Sequence, residues 1–277
     1  MPAQLGGPAT TPNSTLKLTH ITELKRNIMS IAILKISGKS LEEFTNNFAG
    51  VNLIKSLQAK YTSVILIHGG GNLITQWAEK MGIKSEFFEG QRVTCKETME
   101  ITAAVQGGLI NGRINAYLHK NGIKAIGLNG IDMDSFVAEY VNDKLGFVGN
   151  PISTSDKKWL FDLLSDNIVP VFSSLCRDKD GNLMNVNADL FAGALAKALK
   201  ADSVFFISDV QGVKLNNEFQ NSLSTTQLKE GMDSGEINNG MIPKINACLN
   251  LLASGIKNIW IGNEMTDNNL RGTWIVN

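Results

Sequence analysis

The chain has 277 residues, 43% of them apolar, enough to bury an ordinary core as one large domain or two modest lobes. Its 26 basic and 26 acidic side chains cancel, so no net field draws the whole molecule to nucleic acid or anionic lipid, and any anion must be handled by a local site. No apolar run approaches the roughly 20 residues of a membrane-crossing helix, and Cys95, Cys176 and Cys248 fit neither a disulfide framework nor a zinc ligand set, so a reducing, cytoplasmic setting is expected.

Residues 1–28, rich in Thr, Pro, Gly and Asn, read as an N-terminal extension without chemistry. A mobile tail, or a stretch ahead of a start at Met29, fits it better than a transit peptide. From Ile31 onward short β-branched runs alternate with helical patterns, the mark of an α/β fold whose sheet is covered on both faces. Ile31–Ile36, Val64–Ile67, Lys124–Leu128, Ile168–Ser173, Val204–Ser208 and Asn258–Ile261 read as buried strands.

Thr94 with Glu97 has capping-box spacing, and the helix it predicts runs to the Asn121-Gly122 stop. Val137–Val148 reads as a hairpin about Asn142-Asp143. Asp189 opens a helix whose apolar stripe includes Leu190, Phe191, Ala194, Leu195, Ala198 and Leu199; Pro243 fits the first turn of another that ends before Gly255.

The chemistry concentrates where a strand runs into glycines and then a helix. That arrangement aims backbone N–H groups and the positive end of a helix at an anion. His68-Gly69-Gly70-Gly71 follows a strand, and its three glycines let a ligand touch the main chain. Lys35, followed by Ser37-Gly38, sets an ammonium beside a second such loop. Neither cluster is a P-loop, and no G-x-G-x-x-G dinucleotide fingerprint is present. Taken singly, Lys35 reads as a solvated strand end, Asp189 as a helix N-cap and Arg92 as half of a surface ion pair.

Lys35 with Gly38, His68–Gly71, Gly90-Gln91-Arg92-Val93-Thr94, Asn185-Val186-Asn187-Ala188-Asp189, Ser208-Asp209-Val210 with Gly212, and Gly240-Met241-Ile242-Pro243-Lys244 come in this order over about Ile31–Val276. Together they resemble the amino acid kinase family and, within it, the N-acetylglutamate kinases. The resemblance implies a three-layer αβα sandwich around a mainly parallel central sheet. Residues 29–198 would form an amino-acid-substrate lobe and 199–277 a nucleotide-binding lobe. It implies that Lys35, Lys244 and Asp189 are catalytic and that Gly70, Gly71, Arg92 and Asn185 bind the N-acylated glutamate. Gly38, Ser208, Asp209, Gly212, Asn238 and Gly240 would bind ATP, with Mg2+ as its companion ion and no dedicated protein metal site. The partners implied are N-acylglutamate and ATP, without nucleic acid or membrane. The Pro- and Gly-bearing extension is a poor interlacing helix, so an arginine-insensitive homodimer is expected.

The implied reaction makes physical sense. A carboxylate with a pKa near about 4.3 is ionised at neutral pH and needs no general base; the obstacle is repulsion from the γ-phosphoryl group, which alignment and positive charge relieve. Two positions depart from the family pattern: Ser37 replaces the first glycine of Lys-x-Gly-Gly, and Gln91 stands where leucine is frequent. The second leaves open an N-succinylglutamate or aminoadipate derivative as acceptor. A non-catalytic sensor on the same fold is the alternative outside enzymes.

Overall fold

The computed structural model describes residues 29–45, 49–154, 156–237, 241–266 and 269–277. The predicted extension at 1–28, and Asn238 and Gly240, lie outside the described residues.

All six predicted strands are present, as Ile31–Ile36, Ser63–His68, Ala125–Asn129, Val169–Ser173, Ser203–Ile207 and Asn258–Thr266. They form most of an eight-stranded sheet, which Ser222–Ser224 and Asn269–Val276 complete at one edge. Pairing is parallel throughout except between the last two strands of the chain. Ile31–Ile36 lies in the middle, with Ser63–His68 on one side and Ser203–Ile207 on the other. The chain therefore leaves the central strand in one direction and later returns on its other flank, which opens a crevice at the carboxyl ends of these strands, the usual ligand site of open α/β sheets.

Side-chain alternation divides the core into two layers. Ile31 and Ile33 join Leu195 and Leu199 of the helix Ala188–Leu199 and Cys248 and Leu251 of the helix Ile242–Ala253. Ala32, Leu34 and Ile36 face the other way, onto Ile54 and Leu57 of the helix Ala49–Gln58 and Ala78 of the helix Gly71–Lys80. This is the expected three-layer αβα arrangement. By the same parity Lys35 shares a face with Ile31 and Ile33, towards the helix that begins at Ala188.

Three local expectations needed correction. The hairpin exists, but its strands are Phe136–Tyr140 and Val148–Ser153, so the second run lies downstream of the predicted one. Leu175–Arg177 and Leu183–Val186, short strands without a clear periodic signal, close it into a small four-stranded barrel. The helix predicted from Thr94 is capped at Cys95 instead, and the Thr94 hydroxyl donates to the Arg92 carbonyl at 2.9 Å. That helix continues to Lys120 through a π-helical stretch, Ala103–Ile110, before Asn121 and Gly122 (φ 77°) end it. Finally, Asp189 is not the cap of its helix: the side chain of Asn187 accepts the N–H groups of Asp189 and Leu190, at 2.8 and 3.3 Å.

Candidate active site

Capping by Asn187 leaves the Asp189 carboxylate free to point into the crevice. Lys35 Nζ lies 2.6 Å from Asp189 Oδ1, with 7% and 17% of the two side chains exposed. That oxygen has no hydrogen-bond donor of good geometry among the described residues, so the contact is held by charge. Lys35, Asp189 and Lys244 line one cavity of about 360 Å3, together with Gly38, Gly70, Gly71, Arg92, Asn185 and Asp209. All the residues expected to hold the acceptor, and all those expected to be catalytic, are thus brought to one place.

The glycine loops meet backbone to backbone. A Cβ on Gly38 would stand 2.9 Å from both Cα and N of Gly71, whose φ of 31° is itself in the left-handed range. Ser37 fits without strain: it is not among the positive-φ residues, its N–H donates to the Ile207 carbonyl at 3.0 Å, and its Oγ accepts the Ser40 N–H at 3.2 Å. The serine in place of glycine therefore stabilises the turn.

Arg92 is buried and is no surface ion pair. Its guanidinium donates to Ser85 Oγ and Thr75 Oγ1, each at 2.7 Å, and to the Gly71 carbonyl at 3.1 Å, and it lies 4.7 Å from the Phe87 ring centroid. Burial lowers its pKa from the ordinary arginine value, which leaves the cation intact. Asn185 donates to Thr94 Oγ1 at 3.2 Å, tying the barrel to the loop that carries Arg92.

Sequence reasoning missed Gln106, a lone amide in the apolar stretch Ala103–Ile110. It lies on the π-helical segment and lines the cavity, with its Nε2 donating to Ser174 Oγ at 2.8 Å; Ser174 Oγ in turn donates to the Val186 carbonyl at 2.7 Å. His68 supports the glycine loop from behind. Its Nδ1 is 3.1 Å from the Gly69 carbonyl, and Asn111 Nδ2 donates to its Nε2 at 3.2 Å. Burial lowers the His68 pKa to about 4, so the ring is neutral at physiological pH.

A second cavity, about 850 Å3, adjoins the first at Asp209, which lines both among the described residues. Gly212, with φ 145°, lines it too; a Cβ there would be 2.7 Å from Thr273 Oγ1. Ser208 is buried beside it, its Oγ 3.2 Å from Asp209 Oδ1, and does not line either cavity. The larger cavity offers the apolar surface of Val213, Ile237 and Met241 beside polar Asn216, Asn217 and Asn263. Its size and mixed lining suit a nucleotide. The smaller carries four cationic side chains, Lys35, Lys39, Arg92 and Lys244, against two carboxylates, Asp189 and Asp209. A chain of zero formal charge has concentrated positive charge in this cavity.

The sequence model of the amino acid kinase family matches residues 30–263. The chain belongs to this family. Among curated amino acid kinases, the acetylglutamate kinase of Campylobacter hominis is 41% identical over 202 residues, 72% of this chain and 71% of that protein. That of Campylobacter curvus is 39% identical over 249 residues, 88% of this chain and 86% of that one. Among solved structures, a protein from Streptococcus mutans UA159 superposes with a TM-score of 0.79 at 28% identity, over 91% of this chain and 99% of that one. The predicted family and fold are both borne out. Among the described residues no helix is long and apolar enough to cross a membrane.

Proposed function

We propose that this amino acid kinase transfers the γ-phosphoryl group of ATP to the side-chain carboxylate of N-acetyl-L-glutamate, forming an acyl phosphate in arginine biosynthesis. The observation that carries the reading is the buried Lys35–Asp189 pair in a cavity shared with Lys244, Arg92 and both glycine loops. The kinship with curated acetylglutamate kinases supports the acceptor.

In this reading residues 29–198 carry the acceptor and 199–277 the nucleotide. Arg92 and Asn185 hold the acylated amino acid, with the Gly70 and Gly71 backbone against it. Asp209 and Gly212 line the nucleotide side and Gly38 the smaller cavity next to it, Ser208 acts through its contact with Asp209, and Asn238 and Gly240 are also assigned to this side. A carboxylate oxygen of the acceptor attacks Pγ, the bond from Pγ to the β–γ bridging oxygen breaks, and ADP leaves with the electron pair. No proton need move.

Lys35 offsets charge on the transferring group and Lys244 charge on the leaving group, while Asp189 fixes the ammonium of Lys35. When bound with the polyphosphate, Mg2+ would neutralise part of its charge. Asp189 and Asp209 are the carboxylates that line the cavity, which suits an ion that takes most of its ligands from phosphate and water. A cytoplasmic homodimer is in keeping with this reading, and the Pro- and Gly-bearing extension, a poor interlacing helix, favours insensitivity to arginine. Sedimentation showing a hexamer together with inhibition by arginine would refute that assembly.

Release of ADP from magnesium ATP, dependent on N-acetylglutamate and accompanied by a hydroxylamine-trappable acyl phosphate, tests the activity. Absence of ADP release with every N-acylglutamate tried would overturn it and favour a non-catalytic sensor.

A further inference from the structure

Lys39 has no part in the reading so far. It follows Gly38 in the turn between the central strand and the helix Leu41–Thr45, and it lines the smaller cavity beside Lys35 and Lys244. Its Nζ lies 2.8 Å from Asp209 Oδ2, and Lys39 and Asp209 are 63% and 43% exposed at the side chain. The Lys39 ammonium holds the Asp209 carboxylate below the usual carboxylate range. Asp209 is the residue at which the two cavities meet. The ion pair therefore stands across the path along which a polyphosphate, with its base in the larger cavity, would extend its terminal phosphate towards Lys35.

We propose that Lys39 is a further phosphate-binding residue, whose ammonium swings from Asp209 to the nucleotide's polyphosphate on binding. An ion pair in water is weak and readily exchanged. A polyphosphate carries several negative charges at the same place, so the flexible lysine stem exchanges one acceptor for a stronger one. Lys35 contrasts with it: paired with Asp189 and almost wholly buried, it is preorganised, whereas the Lys39 pair is open to solvent. The charged pair also links the turn after the central strand to the loop after Ser203–Ile207, so its exchange would couple nucleotide arrival to the join between the two cavities.

The inference rests on the proposed phosphoryl transfer, but its test reads nucleotide binding and so does not depend on the acceptor. Dissociation constants of magnesium ADP, a non-hydrolysable ATP analogue and adenosine are measured calorimetrically for the full chain, for Lys39→Ala and for Lys39→Arg. The expected result is about tenfold weaker binding of both phosphorylated ligands to Lys39→Ala, with adenosine unchanged and Lys39→Arg largely restored. Binding of ADP to Lys39→Ala should also depend less steeply on salt. Equal affinity of the wild type and Lys39→Ala for ADP would overturn the proposal. So would equal weakening of adenosine and ADP, which would mark lost site shape instead of a lost phosphate contact. If wild type binds ADP but phosphorylates no N-acylglutamate, the acceptor assignment fails while the role of Lys39 is still decided by these constants.

Discussion

Lys35 Nζ and Asp189 Oδ1 sit 2.6 Å apart, the lysine from the carboxyl end of the central strand and the aspartate from the first turn of the helix packed on that strand. The pair is possible because Asn187, two residues earlier, does the capping. The two jobs that one aspartate was expected to share are divided between two side chains, and their mutants should separate. Asp189→Asn should lower kcat at least about tenfold, and it also leaves the buried Lys35 ammonium unpaired, at a cost in stability. Asn187→Ala should cost about 1 kcal/mol of stability through the lost cap. Chemical unfolding and steady-state kinetics on both variants check the division, and an equal loss of kcat in the two folded variants would contradict it.

Lys35→Ala and Lys244→Ala should each lower kcat by about tenfold to a thousandfold while KM values move little, because the charge they offset grows towards the transition state. Near-normal turnover in both variants would show that the site is misassigned.

The two glycine loops differ in how much room they leave. A Cβ on Gly38 would press on the Gly71 backbone at 2.9 Å, whereas one on Gly69 meets only the Ala188 Cβ, at 3.6 Å. Gly38→Ala should force the loops apart and lower kcat/KM by about a hundredfold; Gly69→Ala should stay within a few-fold of wild type. Kinetics of the matched pair give the answer, and similar activity in both would mean that the close approach of the loops is not needed.

Gln91 lines the smaller cavity beside Arg92 and brings an amide donor where an aliphatic residue would offer none. N-acetylglutamate should be preferred over N-succinylglutamate by both the wild type and Gln91→Leu, with the succinyl disadvantage about tenfold wider in the variant. A succinyl preference in the wild type, lost in Gln91→Leu, would instead make N-succinylglutamate the substrate.

His68 sets a limit on acid stability. The folded chain refuses a proton until about pH 4, while the unfolded chain takes one up near 6.5. Between these values the unfolded state binds more protons, so stability falls as pH falls, by about 2 kcal/mol from pH 6.5 to 5. His68→Gln should flatten the dependence of denaturant midpoint on pH over this range, and an unchanged slope would assign the acid sensitivity elsewhere.

The amino-acid sequence by itself determined the layers of this protein and the loops that serve its site. Each buried strand is a short, nearly continuous run of apolar, often β-branched residues, and each glycine cluster announces a backbone conformation that other residues resist. The family motifs then named Lys35, Asp189, Lys244, Arg92 and Asn185 as partners, although no local pattern places Lys35 within reach of a residue more than 150 positions later. Tertiary structure decided what depends on meetings between distant segments. The small barrel is closed by strands of three and four residues, too short to carry a period. The choice of Asn187 over Asp189 as cap rests on where the helix starts to within two residues, and Gln106 reaches the cavity from a π-helical stretch that α-helical periodicity does not describe. The pairing of Lys39 with Asp209 brings together two exposed charges from separate loops, and sequence carries no signal for it because only the parallel order of the sheet sets their strands side by side.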